Sequence, residues 1–151
     1  MNETQRNAPA VDPKLVGIGG WLTLTAIGFV LGPIISVVGL IAAFGMFAKV
    51  AEAGFRGIYT LEIVTLIVML AFMVYAATRF FGKKRNAPAV IITFLLVSLG
   101  TSVILLLIEL TAGAEVFAVE TGKQLFRDAI AAAIWIPYFR VSKRVKATFL
   151  N

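Results

Sequence analysis

The amino-acid sequence predicts an all-α integral membrane protein: a bundle of four transmembrane helices, N-in and C-in, with the first helix bent near Gly32-Pro33. Three observations carry that expectation. Hydrophobic residues make up 60% of the 151-residue chain, whereas a soluble domain holds roughly 45–50%. The excess gathers into four runs, each near the ~20 apolar residues that a helix rising about 1.5 Å per residue needs to cross a hydrocarbon core of roughly 30 Å. The charged residues, which give a net charge of +6, fall mainly at the ends of those runs.

The four runs set the expected spans at residues 21–47, 58–81, 87–110 and 121–141. The first is entered through Gly17-Ile18-Gly19-Gly20 and is longer than a bilayer requires. Pro33 removes a backbone donor and crowds the preceding turn, so the bend is expected there. A loop around Glu52, Gly54 and Arg56 leads to the second span, which stops at Gly82-Lys83-Lys84-Arg85. Asn86 is an N-cap candidate for the third span, with Pro88 in its first turn. Thr121 and Gln124 have capping-box spacing and place the start of the fourth span; alternatively, residues 115–120 are already helical. A polar segment, 1–14, precedes the bundle and a basic tail, 142–151, follows it. Four spans occupy nearly the whole chain, so one membrane domain is expected. Residues 1–14 lack the apolar core of a signal peptide, which leaves insertion to the first span.

Orientation follows from the Lys and Arg count on each side. The N-terminus, second loop and C-terminus share one side and hold ten: Arg6, Lys14, Arg79, Lys83, Lys84, Arg85, Arg140, Lys143, Arg144 and Lys146. The other side holds four, Lys49, Arg56, Lys123 and Arg127, together with six of the eight acids. The positive-inside rule makes the ten-residue side cytoplasmic.

The chain has no cysteine and no histidine. Disulfides, thiolate nucleophiles, Cys/His metal sites, Ser-His triads and imidazole relays are therefore excluded. Asp12 and Asp128, the only aspartates, fall on opposite sides, which excludes an intramembrane aspartyl dyad. No catalytic residue, metal site or cofactor is expected.

Three features carry what chemistry remains. Thr25, Gly28, Gly32, Ser36, Gly39 and Ala43 recur at steps of three and four, so they share one face of the first helix. Small residues at that spacing let helix backbones approach closely in lipid, either within the bundle or against a partner. The second feature is a polar group at depth. Asp128 lies 12 residues before Arg140, roughly 18 Å along a helix and short of the outer face. Glu62 lies 17 residues before Arg79, at a similar depth of roughly 25 Å. Glu62, Glu109, Arg127 and Asp128 thus form a candidate intramembrane cluster in the outer leaflet. An unpaired ionisable group there costs a few kcal/mol, so Arg127 is expected to pair with a carboxylate, foremost Glu62. The alternatives for the cluster are structural pairing, an outward-facing polar pocket or a proton-sensitive carboxylate. The third feature is the cytoplasmic basic collar of Lys83, Lys84, Arg85, Arg140, Lys143, Arg144 and Lys146. It fixes topology and attracts anionic headgroups, by about 1 kcal/mol per residue. No nucleic-acid-reading module accompanies the charge, so nucleic acid is not an expected partner.

The stretch Gly17-Ile18-Gly19-Gly20-Trp21-Leu22, the downstream Pro33, and Ile136-Pro137-Tyr138-Phe139-Arg140-Val141-Ser142-Lys143-Arg144-Val145-Lys146-Ala147-Thr148-Phe149 resemble one family. It is the bacterial membrane-protein family called domain of unknown function 2569. The resemblance implies a small inner-membrane protein of about four spans and supplies no catalytic residues. The expected function is that of a non-enzymatic accessory, scaffolding or lipid-associated subunit, in a homo-oligomer or a larger membrane complex. The alternative is a small transporter or channel that uses the outer polar cluster.

Overall fold

A computed structural model describes residues 16–149. The segment 1–14, with Arg6 and Lys14, and the terminal Asn151 lie outside the described residues. Five helices follow one another: α1 Trp21–Glu52, α2 Arg56–Phe81, α3 Ala87–Thr111, α4 Glu115–Val141 and α5 Lys143–Phe149. Helices α1, α2 and α3 are long and apolar enough to cross a membrane. Helix α4 is 27 residues long and carries six charged residues, among them Arg127 and Asp128. Packing runs in chain order: α1 against α2, α2 against α3, and α3 most extensively against α4.

Each of the first three turns closes in the same way. After α1, Phe55 N–H bonds to Val50 C=O (3.3 Å) and Gly54 N–H to Ala51 C=O (3.2 Å), with Gly54 at φ 89°. After α3, Ala114 N–H bonds to Glu109 C=O (2.9 Å) and Gly113 N–H to Leu110 C=O (3.3 Å), with Gly113 at φ 70°. This is the Schellman arrangement, in which a left-handed residue lets the chain reverse while satisfying the last carbonyls of the helix. The turn after α2 repeats it with Lys84 N–H on Arg79 C=O and Lys83 N–H on Phe80 C=O, both 3.0 Å. Here the left-handed position, φ 48°, is held by Lys83.

The best-packed region lies where α1 begins, α2 ends, α3 begins and α4 ends. Phe80, 0% exposed, sits between Phe29 (centroids 5.4 Å apart) and Phe149 (5.6 Å). Leu22, Ala76, Ile91 and Phe139 complete the cluster. The expected basic tail is instead helix α5. Ser142 leaves helical geometry and accepts a hydrogen bond from Val145 N–H (3.4 Å), the Ser N-cap pattern that restarts a helix. Val145, Ala147, Thr148 and Phe149 then turn inward and Lys143 and Lys146 outward. Thr148 Oγ1 accepts from Gly17 N–H (3.1 Å) and donates to Gly17 C=O (3.2 Å). Arg144 lies against Gly19, where a side chain would come within 2.8 Å of its Nη1. Both stretches that carry the family resemblance therefore meet in one clasp.

Two expected boundaries are corrected. Helix α4 begins at Glu115, so Thr121 lies inside it and its hydroxyl does not cap; the alternative start for this helix is the one found. Asn86 stands at the N-cap position of α3 but makes no side-chain capping bond.

A left-handed lysine costs roughly 1–2 kcal/mol against a right-handed conformation, and glycine escapes that cost. Lys83→Gly is expected to stabilise the protein by about 1 kcal/mol net of the entropy glycine adds to the unfolded chain. The check is the thermal midpoint in detergent, which should rise; a fall would show that Lys83 makes a contact worth more than its strain.

Candidate functional site

Helix periodicity brings polar residues to one end of the bundle, opposite the aromatic cluster. Ser98, Ser102 and Glu109 recur along one face of α3, Thr121, Gln124 and Asp128 along one face of α4, and Tyr59, Glu62, Met69 and Met73 along one face of α2. Ser98, Ser102, Gln124 and Asp128, with the α2 residues, line a half-open cavity of about 400 Å³, while Glu109 and Thr121 lie outside its lining. Ser36 and Ala43 of α1 close its remaining side, and the Tyr59 hydroxyl donates to Ala43 C=O (3.1 Å), tying α2 to α1.

Asp128 is well provided with donors. Ser102 Oγ donates to its Oδ2 at 2.7 Å and Ser98 Oγ at 3.1 Å, while Gln124 Nε2 donates to Oδ1 at 2.8 Å. Three donors meet most of a carboxylate's capacity to accept hydrogen bonds. Glu109 is 0% exposed and receives only the Thr121 hydroxyl, on Oε1 at 2.9 Å. Glu109 Oε2 and Glu62 Oε1 are buried with no hydrogen-bond partner.

Arg127 takes a different position from the one expected. It is exposed, and its Nη2 donates to Gln124 Oε1 at 2.8 Å. The side chain points about 100° around the helix from Asp128, toward the cleft between α1 and α4, so a guanidinium–Glu62 pair does not form. Lys123 is likewise occupied outside the cavity, by Glu120 at 2.7 Å. Among the described residues, no Lys or Arg pairs with Glu62, Glu109 or Asp128.

The small-residue face of α1 looks onto open space along much of its length. Gly32 is the close approach, since a Cβ there would meet Met73 Sδ at 2.7 Å. Gly28 and Gly39 have nothing within 4 Å of such a Cβ. Thr25 and Gly28 border a smaller apolar cavity of about 180 Å³ beside Trp135 and Phe139. Gly39 and Ala43 border a wide cleft toward Gln124 and Arg127. The basic collar occupies the other end of the molecule: Lys83, Lys84 and Arg85 in the α2–α3 turn, Arg140 at the end of α4, and Lys143, Arg144 and Lys146 on α5. Among the described residues, no acid lies at that end.

The sequence named Glu62, Glu109 and Asp128 but missed Ser98, Ser102, Thr121 and Gln124 as their partners. Their spacing was the available signal, because polar residues three, four or seven apart in otherwise apolar spans share one face. Among the described residues, no group of three or more acids is placed to hold a metal ion.

Comparison with known proteins agrees with an integral membrane protein of unassigned role. The chain is 31% identical over 94 residues to "Inner membrane protein YdgK" of Escherichia coli (strain K12), a match covering 62% of this chain and 61% of that relative. No solved structure matches it significantly. The profile of the family described as "Protein of unknown function (DUF2569)" matches residues 15–150, nearly the full length, and the chain belongs to that family.

Proposed function

We propose that the protein is a non-enzymatic, four-span protein of the bacterial inner membrane whose acidic cavity binds a small organic cation. Both termini are cytoplasmic and α1 bends at Gly32-Pro33. The ten-to-four distribution of Lys and Arg supports the orientation. Helix α4, 27 residues long, extends about 40 Å at 1.5 Å per residue, enough for the fourth span. Its Asp128 is supplied with donors by α3 and α4, which lowers the cost of carrying it into the bilayer. The basic end supports contact with anionic headgroups at the cytoplasmic surface.

The observation that carries the cation reading is the composition of the cavity wall. Asp128 and Glu62 contribute acid, Ser98, Thr101 and Ser102 hydroxyls, and Tyr59 and Phe94 aromatic rings, and no basic side chain lines it. A mainly apolar pocket of this size with a few convergent polar groups is the usual form of a small-molecule site. Carboxylate beside aromatic ring suits an ammonium bearing an apolar body. This raises the transporter-class reading above the accessory-subunit reading. The accessory reading keeps one observation of its own: the unfilled face at Gly28 and Gly39, which can seat a partner helix.

Two measurements check these readings. Topology reporters fused after Asn151 and within the α3–α4 turn at Gly113 are expected to report cytoplasm and periplasm respectively; the reverse would overturn the orientation. Tetraethylammonium titrated into the detergent-purified protein should bind saturably, and Asp128→Asn should weaken it by about tenfold, near 1.4 kcal/mol. Absence of saturable binding, with a stoichiometric partner recovered from native membranes, would replace the cation reading with the accessory one.

A further inference from the structure

We propose that the occupant is a phospholipid with an ammonium headgroup, which reaches the cavity sideways from the outer leaflet through the cleft between α1 and α4. Its ammonium meets the carboxyl groups of Asp128 and Glu62, and its phosphate meets Arg127. This rests on the cation reading and narrows it to one class of ligand. The first observation is continuity. The cleft, about 710 Å³, adjoins the cavity, and Ala43, Tyr59, Leu66 and Gln124 line both. The second is Gln124, whose Nε2 donates to Asp128 Oδ1 and whose Oε1 accepts from Arg127 Nη2, both at 2.8 Å. One amide group thus separates an acid on the cavity wall from a base on the cleft wall. An ammonium joined to a phosphate through two carbons has that polarity over a similarly short span, so one headgroup serves both.

Each part of such a lipid meets a group that lacks a partner. Three donors use three of the roughly four acceptor sites of the Asp128 carboxyl group and leave one. Glu62 lines the same cavity, and its Oε1 is buried with no hydrogen-bond partner. An ammonium brings three donors to these acceptors, and the rings of Tyr59 and Phe94 suit its charge. Arg127 is exposed, and among the described residues no carboxylate pairs with it. Glu120, also on the cleft wall, is held by Lys123 at 2.7 Å. In the four-span arrangement Arg127 lies 13 residues before Arg140, roughly 20 Å along the helix. An uncompensated guanidinium is costly at that depth, and a lipid phosphate relieves the cost. Helical side chains lean toward the N-terminus, which for α4 is the outer end, so Arg127 extends toward the headgroups. Inward of it, Ala131 and Trp135 follow at steps of four on the same face of α4. With Gly28 they line the apolar cavity of about 180 Å³, and a side chain at Gly28 would meet nothing within 4 Å. That gap lies where an acyl chain descending from Arg127 needs room.

Native mass spectrometry of the full-length protein in detergent, with phosphatidylethanolamine or phosphatidylglycerol added, tests this. Phosphatidylethanolamine should bind saturably, one molecule per chain. Arg127→Ala and Asp128→Asn should each weaken it by about tenfold. Asp128→Asn should spare phosphatidylglycerol, which has the phosphate and lacks the ammonium. Phosphatidylethanolamine bound equally well by the wild type and Arg127→Ala would overturn the inference. So would an equal effect of Asp128→Asn on the two lipids. A stoichiometric protein partner lost on Gly28→Leu, with no lipid retained, would assign the gap to a helix and overturn it as well. If Asp128→Asn fails to fold, Arg127→Ala decides, since it alters an exposed side chain. Tetraethylammonium binding to the wild type remains the separate test of the cation reading. If it binds and phosphatidylethanolamine does not, only the lipid inference falls.

Discussion

A carboxyl group kept between membrane helices must recover from protein what water would have given it. That constraint organises the polar half of this molecule. Asp128 recovers three hydrogen bonds, two from α3 hydroxyls and one from Gln124 on its own helix. Glu109 recovers one, from Thr121. The hydroxyl bonds cross the α3–α4 boundary, the most extensive packing surface in the fold. They depend in turn on the Schellman turn at Gly113, whose Ala114 N–H returns to the carbonyl of Glu109 itself. The same residue ends one helix and anchors the next. A left-handed glycine thus sets the register in which α4 presents Thr121, Gln124 and Asp128 to α3.

The two ends of the bundle use different physics. At the basic end, aromatic packing through Phe29, Phe80 and Phe149 leaves little space, and α5 folds back so that Thr148 bonds the backbone at Gly17. At the acidic end the helices stand apart and enclose a cavity, with α1 and α4 separated by a cleft. The clasp also explains how two sequence motifs more than 110 residues apart can belong to one feature, since Gly19 must lack a side chain for Arg144 to lie against it.

Most of the helix pattern was legible in the sequence, because long apolar runs leave few alternatives. The first three helices fall within a few residues of the expected spans. What hydropathy could not convey was local capping chemistry. Thr121 and Gln124 have capping-box spacing, yet Ala114 leads the chain into helix six residues earlier, freeing both side chains to serve carboxyl groups. Ser142 restarts the chain as α5 through one side-chain hydrogen bond, a signal hidden inside a run that reads as basic tail. Depth arithmetic brought Glu62 and Asp128 to a similar level, with Glu109 nearer the outer rim, but it says nothing about the direction a side chain takes around its helix. That is why Arg127 was matched to Glu62 when it turns outward to Gln124.

The central claim is that hydroxyl and amide donors of α3 and α4 answer for Asp128 and Glu109, with Arg127 playing no part. Thermal unfolding of Arg127→Ala in detergent tests it most directly. Removing an exposed side chain bonded only to Gln124 should leave the midpoint within the range of ordinary surface substitutions, about 0.5 kcal/mol. A loss of about 3–5 kcal/mol, the usual effect of stranding one member of a buried ion pair, would show that Arg127 neutralises the cavity and would contradict this account.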